Sequence, residues 1–342
     1  MADRYYVCLS ELIEETGAQG FQNEAVVMRF LKAASDFIDR EFKAPFIPFT
    51  ETRTFDGTGT IHKTLSMPLI SISAFTQDGT SITNTQYNLY PLNKWWANGC
   101  YTRLTVDQDA TELSYWTCEK EILSITGQWG LYSETISTGA TVNNSTSISS
   151  SGTSLLASNG ALVSPGMNLL IESEQVLVEA TGAATDSTVN TAEALDATEE
   201  EIDLSDGTLV NVNEIIRVDF EQMKILDIKT NTAVVVRGWN GTTKTTHLTA
   251  VDVYVYRTYT VKRGVNGTTA ATHNNGTAIS RYVAPPEIRY LATETAVMRL
   301  EKSKGKYAGR QGSVELGETF YFADFPKTEL EQVKRQFRIP VL

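Results

Sequence analysis

Two stretches of the chain share a motif that combines arginine, asparagine, glycine and threonine with a following histidine. The motif spans residues 237–243 and again 263–269, and His247 and His273 each follow its second threonine by four residues. Eight of eleven positions agree at a shift of 26. Imidazole nitrogens bind zinc, so the two histidines are candidates for a metal or ligand site. No cysteine or acidic ligand pattern accompanies them, which weakens the metal interpretation.

The Asn-Gly pair inside each motif indicates a turn instead. Asn-Gly prefers a type I′ turn, because both central residues of that turn need a positive φ. We therefore predict that Asn240 with Gly241, and Asn266 with Gly267, form the tips of two β-hairpins. In this interpretation the flanking arginine and histidine hydrogen-bond to the loop. The metal site and the hairpin tip are the two alternatives.

A second pair of matching segments lies upstream of the motif. Residues 160–175 and 207–222 share glycine, leucine, valine and a Glu-Gln pair at a shift of 47. In one copy the glutamate precedes the motif arginine by 16 residues, and in the other by 89. We predict that a β module of about residues 203–257 is nested inside another, whose halves are about 147–181 and 258–283. Interleaved modules are the alternative.

Motifs of common enzyme classes are absent from the sequence. It contains no P-loop, no Gly-x-Ser-x-Gly elbow, no His-Glu-x-x-His motif and no Gly-x-Gly-x-x-Gly turn. His62 is the single histidine of the first 134 residues, and no nucleophile signature lies near it. The three cysteines are odd in number and scattered, so we expect buried thiols at Cys8, Cys100 and Cys118. We expect no enzyme, no catalytic residues, no cofactor and no metal.

Composition argues against two kinds of partner. The formal net charge is −12, and nucleic-acid affinity comes largely from Lys and Arg that displace counterions. The longest apolar runs are a few residues, far below the roughly 20 that a membrane span needs. The first residues lack the basic and apolar regions of a secretory signal, so we expect synthesis in a cytoplasm.

The periodicity of apolar residues divides the chain into three stretches. It predicts helices over 9–16, 21–42 and 285–303, and another from 324 on. Strands are predicted in the first stretch at 51–55, 61–65, 69–75, 87–90, 102–106 and 121–127, with Asp-Gly hairpins at 56–57 and 78–79. Residues 135–284 are rich in Thr, Ser, Asn, Gly and Val, and their short strands indicate a sandwich or small barrel. The predicted class is α+β, with a discontinuous core domain of residues 1–134 plus 285–342 and an inserted all-β domain of residues 135–284.

Several short strings occur in the order of a known protein family. They are FIDREF at 37–42, TETRTFDG at 50–57, LISI at 69–72, DGT at 78–80, YNLYPLN at 87–93, ITGQWG at 125–130 and PPEI at 285–288. Through these strings, residues 28–134 and 285–303 resemble the head–tail connector, or adaptor, proteins of tailed bacteriophages. In that family the last strand usually joins the last helix directly, whereas here 150 residues intervene. The repeated motif resembles small β modules of phage virion proteins.

The resemblance implies a structural protein of the virion neck, assembled in the host cytoplasm. It implies a homo-oligomeric ring, commonly a dodecamer, that docks on the portal protein and links the head to tail or neck proteins. Double-stranded DNA would pass through the ring during packaging and ejection, without sequence-specific binding and without a membrane. The alternative is a tail or decoration protein that binds host glycan or capsid through the β domain.

The resemblance also suggests a docking element at the C-terminal end. In relatives this segment reaches toward the portal, and here it would present the apolar residues Leu330, Val333, Phe337, Ile339, Val341 and Leu342. The alternative is that the same stripe packs on its own subunit.

Overall fold

The computed structural model describes residues 3–18, 20–21, 23–92, 99–145, 147–304, 310–313, 318–321 and 327–337. Four helices and several antiparallel sheets make up the described chain, which confirms the α+β class. Helices occur near both ends of the chain, and short strands fill the middle.

Helices from both ends of the chain pack into one apolar cluster. They are α1 (Leu9–Thr16), α2 (Glu24–Phe42), α3 (Pro286–Lys304) and α4 (Lys327–Gln336). Gly17 ends α1 in the left-handed conformation at φ 64°, as a glycine at this place predicts. Leu31 and Ile38 of α2 share the cluster with Ile288 and Leu291 of α3, all buried. Residues 3–131 and 284–337, where described, are called the core body.

The core body also contains an antiparallel sheet. Its strands are β1 (Phe49–Phe55), β2 (His62–Gln77), β3 (Thr80–Ser81), β4 (Tyr87–Tyr90), β5 (Tyr101–Val106) and β6 (Leu123–Trp129). The order is β1-β6-β2-β5-β4, and β3 pairs with β2. A second apolar cluster forms around the fully buried Trp116 and Trp129.

One of the two Asp-Gly hairpins predicted in this sheet is present. Asp78 and Gly79 have positive φ values of 49° and 72° and connect β2 to β3, as type I′ geometry requires. The prediction of a hairpin at Asp56-Gly57 was wrong, because β1 and β2 both pair with β6 and not with each other. The N–H groups of Gly57 and Gly59 instead donate to the carbonyls of Glu119 and Trp116, so the loop crosses β6.

Two six-stranded sheets follow. The outer module (residues 134–181 and 258–283) contains β7 (Glu134–Thr141), β8 (Ser147–Ile148), β9 (Ser154–Leu156), β10 (Asn168–Ile171), β11 (Glu174–Thr181), β18 (Thr258–Lys262), β19 (His273–Asn274) and β20 (Ala278–Val283). Its main sheet has the order β7-β20-β10-β11-β18-β9, and β8 pairs with β19. The sheet therefore joins strands from both halves of the module.

The inner module occupies residues 185–257. Its strands are β12 (Thr185–Asn190), β13 (Glu201–Asp203), β14 (Ile215–Val218), β15 (Glu221–Lys229), β16 (Thr232–Val236) and β17 (Asp252–Val255), in the order β12-β17-β14-β15-β16-β13. Each module has its own apolar cluster. The inner module lies in sequence between β11 and β18 of the outer one, which is the nested arrangement of the two predicted alternatives.

Near the C-terminal end, β21 (Arg310–Ser313) and β22 (Glu318–Tyr321) form a two-stranded sheet that the sequence patterns did not predict.

Candidate functional site

The Asn-Gly pairs form turns, but they are not hairpin tips. Asn240 and Asn266 both have φ 53°, and Gly241 and Gly267 also have positive φ values, as predicted for the turn itself. The first turn follows β16, which pairs with β15 and β13 and not with the next strand, β17. The second follows β18, which pairs with β11 and β9. The hairpin prediction was wrong, because each turn leads the chain away from its sheet and across a buried ion cluster.

The inner cluster consists of Glu221, Arg237, His247 and Asp219. The Glu221 carboxylate accepts hydrogen bonds from Arg237 Nε at 2.7 Å and Nη2 at 2.8 Å. It also accepts from the backbone N–H groups of Gly238 and Thr245, both at 3.0 Å, and lies 3.0 Å from His247 Nε2. The side chains of Glu221, Arg237 and His247 have no solvent exposure.

The outer cluster repeats this arrangement with Glu174, Arg263, His273 and Glu172. Arg263 donates to the Glu174 carboxylate from Nε at 2.8 Å and from Nη2 at 2.7 Å. Two backbone N–H groups donate to Glu174 at 2.8 Å, and His273 Nε2 lies 2.8 Å away. The glutamate of the upstream Glu-Gln pair and the arginine of the motif are therefore ion-pair partners in both modules. Neither half of the repeat indicates this partnership alone, but the duplication of both halves together does.

Both ring nitrogens of each histidine face a carboxylate. In the inner cluster, His247 Nδ1 lies 2.8 Å from Asp219 Oδ2, and in the outer cluster His273 Nδ1 lies 2.7 Å from Glu172 Oε2. The two histidines lie in separate modules with separate apolar clusters. Within the described residues no group of three or more His, Cys, Asp or Glu side chains is placed to hold a metal ion.

The donors around each glutamate determine its charge. Burial by itself raises the pKa of Glu174 and of Glu221. Hydrogen bonds from Arg263 and Arg237, from backbone N–H groups and from the histidines outweigh burial and lower each pKa to about 2. Both carboxylates are therefore ionised at neutral pH, and each is fully occupied by donors.

The arginines also hold the loops that cover the clusters. Arg237 Nη1 donates to the carbonyls of Asp196 and Glu199, at 2.8 and 2.9 Å. Arg263 Nη1 donates to the carbonyls of Ser149 and Gly152 in the matching loop of the outer module. Because every donor of the arginine head group finds an acceptor, the cluster joins distant segments of its module.

The glutamine of each Glu-Gln pair positions the Asn-Gly turn. In the inner module Gln222 N donates to Thr242 Oγ1 at 2.9 Å, and Asn240 Nδ2 donates to Gln222 Oε1 at 2.8 Å. The outer module repeats both bonds, each at 2.9 Å, through Gln175, Thr268 and Asn266. In the outer module the turn also contacts the core body, where Gln175 Nε2 donates to the Pro48 carbonyl at 2.9 Å.

The N-terminal residues connect the core body to the outer module. Leu9 N donates to the Pro165 carbonyl at 2.9 Å, and Glu24 accepts from the N–H and hydroxyl of Thr181. Glu11 forms ion pairs with Arg281 of β20 at 2.9 Å and with Arg289 of α3 at 3.0 Å. One carboxylate of α1 thus contacts both the outer module and helix α3.

A cleft of about 480 Å³ is lined by residues of α1 and of both modules. Its walls include Leu9, Ile13, Phe21, Trp239 and Tyr256. Lys224 Nζ lies 5.2 Å from the centre of the Trp239 ring, and the indole N–H has no hydrogen-bond partner among the described residues. The floor of the cleft is the contact between the inner module and the core body, where Phe21 N donates to Asn240 Oδ1 at 3.3 Å.

The C-terminal stripe packs on its own subunit as far as it is described. Leu330 and Phe337 are buried in the helical cluster, and Val333 packs against it. The Phe337 ring lies edge-on to Phe46, with centroids 5.0 Å apart. Leu330 and Phe337 therefore pack on their own subunit, which is the alternative of the two predictions, whereas Val333 is only half-buried. Ile339, Val341 and Leu342 lie outside the described residues, so their docking role stays a prediction.

The remaining candidate residues are structural or exposed. His62 lies on β2, with Nδ1 3.1 Å from the hydroxyl oxygen of Thr105 on the neighbouring strand β5. Cys8 and Cys100 are buried as predicted, whereas Cys118 is exposed.

Comparisons with known proteins add no relative to these observations. No family model, no curated protein and no solved structure matches the chain. Among the helices that the structure describes, none has the length and apolar character needed to cross a bilayer.

Proposed function

We propose that the chain is a structural subunit of a tailed-phage neck, in which its core bodies form a ring below the portal. The observation that carries the proposal is the joining of the two chain ends. α2, from the N-terminal stretch, packs along α3, from the C-terminal stretch, and the sheet of residues 49–129, with its own apolar cluster, follows α2 in the chain. The discontinuous helix-and-strand body implied by the sequence resemblance would have this composition.

The inserted modules support a structural role over a catalytic one. Their most buried polar groups, the Glu-Arg-His clusters, are saturated with hydrogen bonds and present no free nucleophile or base. A fully satisfied buried network of this kind rigidifies the segments that it joins. A small β module held in this way is suited to remain folded on the outside of an assembly.

A ring requires two complementary surfaces on each subunit, since a head-to-tail contact closes only when successive rotations return to the start. The core body would supply both surfaces, because it belongs to the part of the chain that resembles the connector family. The inserted modules would then project from the ring. DNA would pass through the centre without sequence-specific contacts, in keeping with the net charge of −12.

Electron microscopy of the purified full chain, alone and mixed with purified portal protein from the same phage, tests the proposal. We expect closed rings with rotational symmetry that bind coaxially to the portal. A chain that stays monomeric at all concentrations, both with and without portal, would overturn it. A variant with Phe337→Ala, which removes a buried ring of the helical cluster, would show whether the core body has to be intact for assembly.

A further inference from the structure

The exposed end of the inner module carries two large apolar side chains. Phe220 lies in the turn between β14 and β15 and is 91% exposed, and Leu248 follows His247 and is 76% exposed. Phe220 stands between Asp219 and Glu221, the two carboxylates that hold His247. Both apolar residues therefore lie at the same end of the module, next to its ion cluster. This end is called the apolar tip.

The outer module shows that the fold does not need apolar residues at these two places. Its corresponding residues are Ser173, between Glu172 and Glu174, and Asn274, which follows His273. Both are exposed, as Phe220 and Leu248 are, and the cluster beside them has the same bonds. The two modules share one fold and differ in the side chains that are exposed at this end. Exposed apolar groups that lie together and are not needed by the fold are candidates for contact with another molecule.

The two modules also differ in net charge. Residues 185–257 contain thirteen Asp and Glu and six Lys and Arg, a net charge of −7. The outer module contains four acidic and three basic residues, a net charge of −1. Because the scaffold is the same, the acidic surface belongs to the inner copy and not to the fold.

Acidic residues occur on the chain segments next to the apolar tip. Asp219 precedes Phe220, and Leu195, in the loop that carries Asp196 and Glu199, pairs with His247 beside Leu248. In the outer module the places of Asp196 and Glu199 are taken by Ser149 and Gly152, which accept from the equivalent arginine. Lys244, three residues before His247, is outnumbered by these carboxylates.

We propose that the apolar tip is a docking surface for a protein partner whose surface presents an apolar pocket with a basic rim. Phe220 and Leu248 would be the anchors that enter the pocket, and the carboxylates around them would pair with lysines and arginines of the rim. A second copy of this chain is a poorer match, because its own charge is −12. An anionic lipid surface is repelled by the same carboxylates.

The test uses the full chain in the cells that produce it. A photoreactive phenylalanine analogue replaces Phe220 in one variant and Ser173 in a matched control variant. We expect irradiation to give an adduct at position 220, and none at position 173, with a protein whose contact region is basic. No adduct at position 220, equal adducts at both positions, or adducts with lipid, with an acidic protein or with another copy of this chain would overturn the proposal.

An adduct supports the proposal only together with binding of the purified partner. The double variant F220S/L248N gives the inner module the residues of the outer one, so its thermal unfolding should be unchanged. Its affinity for the partner should fall at least about tenfold, as expected for loss of anchor residues. Binding of the unmodified chain should also weaken when the salt concentration rises from about 0.05 to about 0.5 M. Equal affinity of both chains, or binding that salt does not change, would contradict the proposed chemistry.

Discussion

Arg237 and Glu221 face each other inside the inner module through two parallel hydrogen bonds, of 2.7 and 2.8 Å, and neither side chain has any solvent exposure. Arg263 and Glu174 form the same bidentate pair in the outer module. A bidentate arginine–carboxylate pair fixes both the distance and the plane of its partners. The paired segments are 16 residues apart in one module and 89 in the other, so the pair determines the structure of each module and not merely a local turn.

Loss of one partner should be costly, since it leaves the other charge buried and unpaired. We expect Glu221→Gln to lower the free energy of unfolding of the inner module by about 3–5 kcal/mol. Chemical denaturation of the full chain, followed by tryptophan fluorescence, measures the change. Glu193→Gln, an exposed carboxylate of the same module, is the matched control and should change stability by less than about 0.5 kcal/mol. An equal effect of both substitutions would contradict the role assigned to the pair.

Acid should unfold the modules over a defined range of pH. The pKa of Glu174 and of Glu221 is about 2 in the folded chain, below the ordinary value of 4.5. Each ionised carboxylate therefore contributes about 3 kcal/mol above pH 4.5, and that contribution is lost as the pH falls from 4.5 toward 2. Equilibrium unfolding measured at several pH values should show this loss. The doubly substituted E174Q/E221Q chain should be less stable at pH 7 and less sensitive to pH below 4.5.

The inner module should be removable without unfolding the outer one. In the inner module β15 and β16 are joined by a tight turn at Thr230-Asn231, between the paired residues Lys229 and Thr232. In the outer module the equivalent strands β11 and β18 are joined by the whole inner module. We expect that replacing residues 183–257 by Thr-Asn will leave a folded chain with a single cooperative unfolding transition for the outer module, measured by circular dichroism. A matched linker in which Pro-Asn replaces Thr-Asn should be less stable, because proline cannot supply the positive φ of Thr230.

Glu11 should link the stability of the outer module to that of the core body. Its carboxylate pairs with Arg281 and Arg289 and also accepts from the N–H of Cys8 at the start of α1. We expect Glu11→Ala to cost about 1–2 kcal/mol, the usual effect of losing a helix cap with its ion pairs. Hydrogen exchange should become faster both in α1 and in β20. Faster exchange in α1 alone would indicate that Glu11 acts only as a cap.

Local patterns in the sequence predicted most elements of the core body. Apolar spacing placed α1 at its observed residues, and Asp78-Gly79 predicted a real hairpin. The same dipeptide at Asp56-Gly57 gave a wrong hairpin prediction, because the pairing of β1 with β6 depends on contacts between residues distant in sequence. Strand partners are determined by packing across the whole sheet, and turn chemistry alone does not reveal them.

The candidate site was predicted in part. The repeat indicated which residues belong together, and the positive φ of Asn240 and Asn266 followed from Asn-Gly. The ion pairing of Glu221 with Arg237 was missed, since a lone glutamate in a strand is usually exposed and solvated. The packing of Phe337 into its own helical cluster was one of two alternatives, because an apolar stripe on a helix is the same pattern whether it packs inside or outside.

The insertion of one module inside another also determines the order in which parts of the chain can fold during synthesis. When β11 leaves the ribosome its neighbour β18 has not been made, so the outer sheet has to wait while the inner module is completed. Thr185 and Val255 pair at the ends of the inner module, and its folding therefore brings β11 and β18 together and shortens the loop that the outer sheet must close. α3 emerges only after β20, so the helical cluster closes last. Within the insertion the inner module is thus the first part to become native, and the helical cluster, which needs both ends of the chain, is the last.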